Sequence, residues 1–353
     1  MTGNEPASPT GPDHRIDQEI AELLRVSGTT SDADVIEDIV HTAVEMGGDH
    51  LPRLDLKMTR AVLAEMRSAF AILAPFADKP KVTIFGSARV TQDDPLWSLT
   101  RDLAQALAGE GWMVVTGAGG GIMHAGMEGA GAALSIGIKI RLPFEDQPNS
   151  IIAHDPKLVS MRYFFTRKVM LVKESFAFVC MPGGFGTLDE TVELLTLQQT
   201  GKAEPTPIVL LDVPGGTYWH SFTRFIRDEV MSRRMVDSDD LERVLVTDSV
   251  EAARAEILHF WRNYHSLRWV GDTLVLRLKF EPTYDEVKEL NSRFSSMVAQ
   301  GRIERTGPLG PERDSADELG RPRIKLKLEQ RQVGDLHKLI RALSDLPSAN
   351  AAT

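Results

Sequence analysis

A doubly wound parallel α/β sheet is the fold class this sequence predicts, with a helical extension before it and a small α+β segment after it. Three observations carry the prediction. Continuous apolar runs such as "KVTIFGS" and "PTPIVLLDV" alternate with stretches of helical periodicity, the rhythm of strands covered on both faces. Glycine-rich loops close several of those runs. The length, 353 residues, suits one large domain with appendages or two modest ones.

Residues 1–14 are Pro, Gly, Ser, Thr and acid without periodicity, and read as a disordered tail. From 15 to 78 the apolar residues recur at helical spacing, as in "EIAELLRV", "DVIEDIVHTAVEM" and "MTRAVLAEMRSAFAILAPF". Ser31 and Asp32 offer a cap for the second of these helices. Between Asn4 and Lys79 stand seven basic residues against fourteen acidic, an acidic lead-in that reads as a packing or dimer element. The α/β core spans 79–264. Its expected strands are "KVTIFGS", "WMVVTGAGGG", "LSIGIKIRL", "FAFVCM" and "PTPIVLLDV". Between and after them come helices over "DPLWSLTRDLAQALAGEG", "IMHAGMEGAGAA", "MRYFFTRKVMLVKES", the stretch after "MPGG", and "YWHSFTRFIRDEVMSRRM". Residues 265–347 read as a small α+β domain of βαββα pattern: strand "GDTLVLRLKF", helix "TYDEVKELNSRFSSMVAQ", strand "RIERTG", strand "RPRIKLKLEQ" and helix "VGDLHKLIRALSDL". A short tail, 348–353, follows.

Composition removes several function classes. Apolar residues at 42% and charged residues at 25% are ordinary for a globular chain. A net charge of −10 argues against nucleic-acid or acidic-membrane partners. The single cysteine, Cys180, excludes an intrachain disulfide, fits a reducing compartment and, inside an apolar run, reads as an inert core thiol. No apolar run approaches the roughly 18–20 residues of a membrane span, and "MTGNEPASPTGPDHR" lacks the features of a signal peptide. The expected location is cytoplasmic. The nine histidines show no metal-ligand spacing, and His220-Ser221 has no placed acid partner for a hydrolase triad.

Three loops at the carboxyl ends of strands carry the chemistry. They are "FGSAR" (85–89), "TGAGGGIMHAG" (116–126) and "MPGGFGTLDE" (181–190). Helix N-termini offer free backbone N–H groups, and glycine lets an anion approach them, so two such loops on one crevice suggest a nucleotide phosphate. The dinucleotide fingerprint fails, because Ile122 or His124 stands where its last glycine is required. A P-loop is absent as well. Met123, Met127, Met161 and Met170 read as core or pocket lining.

The third loop has the form P-G-G-x-G-T-x-x-E, and upstream of it "YFFTRKVMLVK" places Arg167 beside Lys168. This combination resembles the LOG ("Lonely guy") family, whose members often carry a lysine-decarboxylase label. The likeness covers about Lys79 to Met235 and includes the other two loops. It implies a Rossmann-like phosphoribohydrolase that cleaves the N-glycosidic bond of AMP-like nucleoside 5′-monophosphates. In that family the residues matching Arg167 and Glu190 are the catalytic pair. The resemblance gives Pro182, Gly183, Gly184, Gly186 and Thr187 to the substrate phosphate, and extends the binding set to Gly86, Ser87, Gly119, Gly120, Gly121 and Lys168. Where plant-type members carry Met-His-Glu, this chain has Phe164, Phe165 and Thr166, which resembles the larger bacterial subgroup and does not carry over cytokinin specificity. No lysine is placed as a Schiff-base partner for decarboxylation.

The chemistry agrees with the residues. Loss of a nucleobase leaves an oxocarbenium-like ribose, which a carboxylate stabilises and to which it directs water. Glu190 is expected in the first turn of its helix, where the dipole favours its ionised form, while Asp189 reads as plain surface. Arg167 suits bidentate contact with phosphate or carboxylate. The expected enzyme is a hydrolase without metal or redox cofactor, acting on a small-molecule nucleotide, and a homodimer or larger homo-oligomer. The alternative is a non-catalytic nucleotide- or molybdenum-cofactor-binding protein, which needs the glycines but not Glu190. In "RPRIKLKLEQR" alternation places Arg323, Lys325 and Lys327 on one strand face, which reads as a solvated face, the alternative being a seat for an anionic effector.

Overall fold

The computed structural model describes residues 12–142, 147–329 and 333–350. Of the expected tails, residues 1–11 and 351–353 lie outside the described residues, whereas Pro12–His14 open helix α1 and Ser348–Asn350 belong to helix α13. The chain divides into two compact units at Met66/Arg67. The first unit holds α1 (Pro12–Ser27), α2 (Ala33–Gly48) and the start of α3 (Arg53–Leu73). Asp32 does stand at the N-cap of α2, but it is left-handed, with φ 51°, and gives no side-chain bond to the helix. Helix α2 buries none of its residues, and Val35, Ile36, Ile39 and Val44 are exposed.

The second unit opens with the parallel sheet. In chain order come β1 (Lys81–Phe85), α4 (Pro95–Gly109), β2 (Met113–Thr116), α5 (Ile122–Ala130), β3 (Ser135–Ile140), β4 (Leu158–Met161) and α6 (Phe164–Lys173). Then follow β5 (Ala177–Cys180), α7 (Phe185–Gln199), β6 (Ile208–Leu211), α8 (Tyr218–Phe225), β7 (Val244–Thr247) and α9 (Val250–Phe260). The strand order is β4-β3-β2-β1-β5-β6-β7, every pairing parallel. Strands β1, β2, β5 and β6 are buried along their whole length, which is why they read as unbroken apolar runs. All five expected strands are present. The sheet has two more, β4 and β7, and both are edges. The last expected core helix is shorter than its pattern: α8 stops at Phe225 and continues as a π-helical segment, Ile226–Met231.

The same unit continues into a second sheet. Its elements are β8 (Tyr264–Val270), β9 (Thr273–Leu278), α10 (Tyr284–Arg293), β10 (Val298–Thr306), α11 (Gly310–Asp314), β11 (Arg323–Leu328), α12 (Val333–Asp345) and α13 (Pro347–Asn350). The order is β10-β11-β9-β8, all antiparallel. Strand β8 was not expected. The expected helix over 283–300 ends at Arg293, and Val298–Gln300 belong to β10. Leu274, Leu276, Leu290, Ile324, Leu339 and Leu343 form a core of their own here.

The basic strand face needs a correction. Arg323 is buried at 1% exposure, and its Nε donates to Glu312 Oε1 at 3.2 Å. Lys325 pairs with Glu304 at 3.7 Å, and Lys327 with Asp272 at 2.8 Å. Alternation put the three cations on one strand, but carboxylates from neighbouring segments neutralise each of them. Among the described residues no helix is long and apolar enough to cross a membrane, and no three His, Cys, Asp or Glu side chains gather as metal ligands.

Candidate active site

Strands β1 and β5 lie side by side, and the chain winds outward from them in opposite directions. Such a switch point leaves a crevice beyond the carboxyl ends of the two strands. Phe85 and Cys180 are paired at those ends, so the loop carrying Gly86 and Ser87 faces the loop carrying Pro182 and Gly183. Backbone bonds stitch the two together: Met181 N donates to Phe85 O at 2.8 Å, and Ser87 N to Pro182 O at 3.2 Å. The loop after β2, with Gly119, Gly120 and Gly121, joins them through Ile122 N, which donates to Ser87 O at 3.0 Å. Gly121 has φ 59°, and a Cβ there would strike the Ser87 carbonyl oxygen and lie 2.8 Å from Ala88 Cα. Only glycine allows this approach.

The third loop runs straight into α7. Gly184 is its N-cap, and Gly186 and Thr187 lie in the first turn. Nothing lies within 4 Å of where a side chain would sit on Gly184 or Gly186. The free N–H groups and positive dipole end of α7 are thus open to an anion. Two residues that sequence reasoning missed hold these loops. Asn149 Nδ2 donates to Gly119 O at 3.0 Å, and Asn149 N to Ala118 O at 2.9 Å. Tyr218 donates its hydroxyl to Gly183 O at 2.6 Å. Both act across long sequence separations, and only the local Asx turn of Asn149, whose Oδ1 accepts from Ile151 N at 3.2 Å, leaves a sequence trace.

Arg167 on α6 and Glu190 on α7 meet beneath the loops. Arg167 Nη1 donates to Glu190 Oε1 at 3.1 Å, with both side chains about nine-tenths buried at 11% and 12% exposure. Arg167 Nε donates to Ile138 O at 3.0 Å, so the guanidinium spans from β3 to α7. Burial raises the Glu190 carboxyl to about 7, against the opposing pull of Arg167 and Lys168. The helix-dipole expectation is corrected: α7 begins at Phe185, which leaves Glu190 one turn further in than expected and the first turn without an acid. Desolvation, not the dipole, sets its acidity. Cys180 fits the inert reading, buried and pushed up to about 12 by desolvation.

Lys168, expected in the binding set, is ion-paired beside the Arg167–Glu190 pair. Its Nζ lies 2.9 Å from both Asp189 and Glu193, a clamp between α6 and α7. Asp189, expected as plain surface, is the exposed half of that clamp at 60%. Cavity size does not mark the crevice either. A cavity of about 990 Å³ lies between Thr200–Pro205 and the second sheet, with Trp269 and Lys327 in its wall and none of the three loops. The crevice is identified by its topology and its paired charges, since a carboxyl held near neutrality beside an arginine and helix N-termini can transfer protons next to a bound anion.

The core of the chain, residues 118–257, matches the family model described as "possible lysine decarboxylase". A probable cytokinin riboside 5′-monophosphate phosphoribohydrolase of Oryza sativa subsp. japonica is 28% identical over 153 residues, 42% of this chain and 66% of that protein. A second rice relative bearing the same description is 32% identical over 99 residues, 28% of this chain and 44% of its own length. Both rice proteins are thus matched over less than two thirds of their length. The cytokinin riboside 5′-monophosphate phosphoribohydrolase of Mycobacterium tuberculosis is 28% identical over 180 residues, 49% of this chain and 90% of that protein. Among solved structures, the molybdenum cofactor carrier protein of Chlamydomonas reinhardtii is 22% identical, with 50% of this chain and 94% of that one covered at a TM-score of 0.34. Residues 118–257, which hold the Gly119–Gly121 loop and the Arg167–Glu190 pair, are thus similar to the LOG family.

Proposed function

We propose that the protein hydrolyses the N-glycosidic bond of nucleoside 5′-monophosphates, releasing free base and ribose 5-phosphate. The single observation that carries this reading is the buried Arg167–Glu190 pair at 3.1 Å, placed beneath three anion-accepting loops at the switch point. A carrier of a phosphorylated cofactor needs the loops and has no use for a carboxyl poised near 7. The relatives' printed activity supports the same reading.

In this reading the N-terminus of α7 and the Gly119–Gly121 loop hold the 5′-phosphate and orient the sugar. The C1′–N bond breaks with its electron pair leaving on the base nitrogen, and positive charge develops on C1′ and the ring oxygen. Ionised Glu190 stabilises that charge and takes a proton from the attacking water, whose oxygen bonds to C1′. The proton passes to the departing base, so the reaction balances as water plus nucleotide. Arg167 holds Glu190 in place and keeps a share of it ionised.

The test is a panel of nucleotides assayed for free base and ribose 5-phosphate. AMP or another 5′-monophosphate is expected to turn over while the matching nucleoside barely reacts, because the phosphate supplies remote binding energy. Equal turnover of AMP and adenosine would remove the loops from the mechanism. Homo-oligomerisation is part of the proposal. Phe164, Phe165 and Val169 on α6, with Phe185 and Val192 on α7, form exposed apolar surface beside the site. Light scattering is expected to show a dimer or larger assembly, and a stable monomer at assay concentration counts against it. A cytoplasmic location completes the reading.

A further inference from the structure

The guanidinium of Arg167 touches a third element besides β3 and α7. A Cβ placed on Gly117, in the loop after β2, would fall well inside 3.0 Å of Arg167 Nη2 and 2.8 Å from Met123 Sδ. Arg167 is thus fixed on three sides: Nε by the Ile138 carbonyl, Nη1 by Glu190, and Nη2 by the bare backbone of Gly117 with Met123 beside it. We infer that Gly117 is a positioning residue for the Arg167–Glu190 pair, its missing side chain being the space that the second guanidinium nitrogen fills. The inference rests on the catalytic reading of that pair and extends it to a residue that touches neither phosphate loop bond nor carboxylate.

The conformation of Gly117 makes the inference testable. It is not among the glycines with left-handed backbone, so alanine there meets no left-handed strain. The atoms that a methyl group would meet first belong to the far ends of flexible side chains, which move at little cost while the fold stays. Gly121 is the opposite case, where the obstacle is backbone. Gly119 supplies a control: a Cβ there would meet Met123 Cε at 2.7 Å and Sδ at 3.4 Å, and not Arg167. Gly119→Ala therefore displaces Met123 alone.

In the Gly117→Ala protein the arginine swings off its carboxylate. Turnover of AMP is expected to fall about 10²-fold, with a much smaller change in KM. The ionisation midpoint of Glu190 is expected to rise by about one unit as its positive neighbour retreats. That midpoint is read without any substrate, by carboxyl ¹³C NMR titration of glutamate-labelled protein, with Glu190→Gln identifying the signal. The readout separates this inference from the proposed activity, since it stands even if no nucleotide is hydrolysed. Gly119→Ala is expected to leave the Glu190 midpoint where it is in the parent protein. In an Arg167→Gln background, Gly117→Ala is expected to add no further loss of turnover and no further shift, because the two changes act through one contact. An unmoved Glu190 midpoint in folded Gly117→Ala protein overturns the inference. So does an equal shift in Gly119→Ala, or full additivity with Arg167→Gln. Should Gly117→Ala fail to fold in the parent protein, the Arg167→Gln background decides: with the guanidinium gone alanine must be accepted there, and failure in both backgrounds also overturns it.

Discussion

Glu190 is held between two opposed forces. Burial favours its neutral acid, and Arg167 with Lys168 favours its anion; burial prevails and leaves the group near 7. The consequence for rate is direct. If the ionised form is the base, kcat/KM should rise with pH through about 7 and level off above it. Glu190→Gln should lower turnover by about 10²–10⁴-fold while AMP binding survives in a calorimetric titration. Near-normal turnover in that variant would end the role assigned to Glu190. A fall in kcat/KM above pH 7 in the parent protein would make it an acid instead. Stability carries the same signature. The folded-state pKa lies above the ordinary 4.5, so the contribution of the neutral acid is fully present below about 4.5 and is lost as pH rises through about 7. Urea denaturation over that window should show the parent losing stability relative to Glu190→Gln, and parallel curves would contradict the buried-acid account. The identities of Arg167 and Glu190 were legible in the sequence through their motif. Their pairing was implied by the family resemblance and not by any local pattern, and the acidity of Glu190 was not legible at all, because burial is a property of the packed structure.

At the scale of elements, legibility followed burial. Strands β1, β2, β3, β5 and β6 lie inside the sheet, and their uninterrupted apolar runs announced them. The two that escaped, "LVSM" of β4 and "VLVT" of β7, are its edges. Each has four residues and is only partly buried, so neither periodicity nor composition separates it from loop. Strand β8 escaped for a related reason: six of its seven residues are half-buried or exposed. The glycine loops were legible as loops, and their mutual stitching was not, since Ser87, Pro182 and Ile122 are joined by backbone atoms that no side chain betrays. The stitching has its own test. Gly121→Ala puts a methyl group against the backbone of Ser87 and Ala88 and strains a left-handed residue. A loss of about 1–3 kcal/mol is expected, visible as a lower urea midpoint at unchanged slope. An unchanged midpoint would mean that the loops adapt independently and are not one structure.

The whole molecule turns on α9, which serves two cores at once. Ala253 and Ile257 pack under the parallel sheet, and Phe260 packs into the core of the antiparallel sheet. Helix α12 returns to the same place. Asn263, fully buried, donates to Leu343 O at 3.0 Å, and Arg341 reaches Glu256 at 2.7 Å. His337 lies with its ring 5.7 Å from that of Phe260, held neutral by burial. The change of charge balance draws a boundary at 264/265 in the sequence and offers the basic strand beyond it as a seat for an effector or as a solvated face. Those cations prove to be paired, and the contacts across the boundary are those of a brace. Truncation after Tyr264 would uncover Phe260 and Tyr264, both at 0% exposure, at about 1.5–3 kcal/mol each. It would also strand the amide of Asn263, which costs about 1–3 kcal/mol more. The sum is comparable with the whole stability of an ordinary domain, about 5–15 kcal/mol. The protein lacking residues 265–353 is therefore expected to lose its cooperative thermal transition and to bind a hydrophobic dye, where the full chain does neither. A truncated protein that melts cooperatively near the temperature of the full chain would show that the parallel sheet stands without its partner, and the response of both forms to added nucleotides would then decide whether the second sheet senses them.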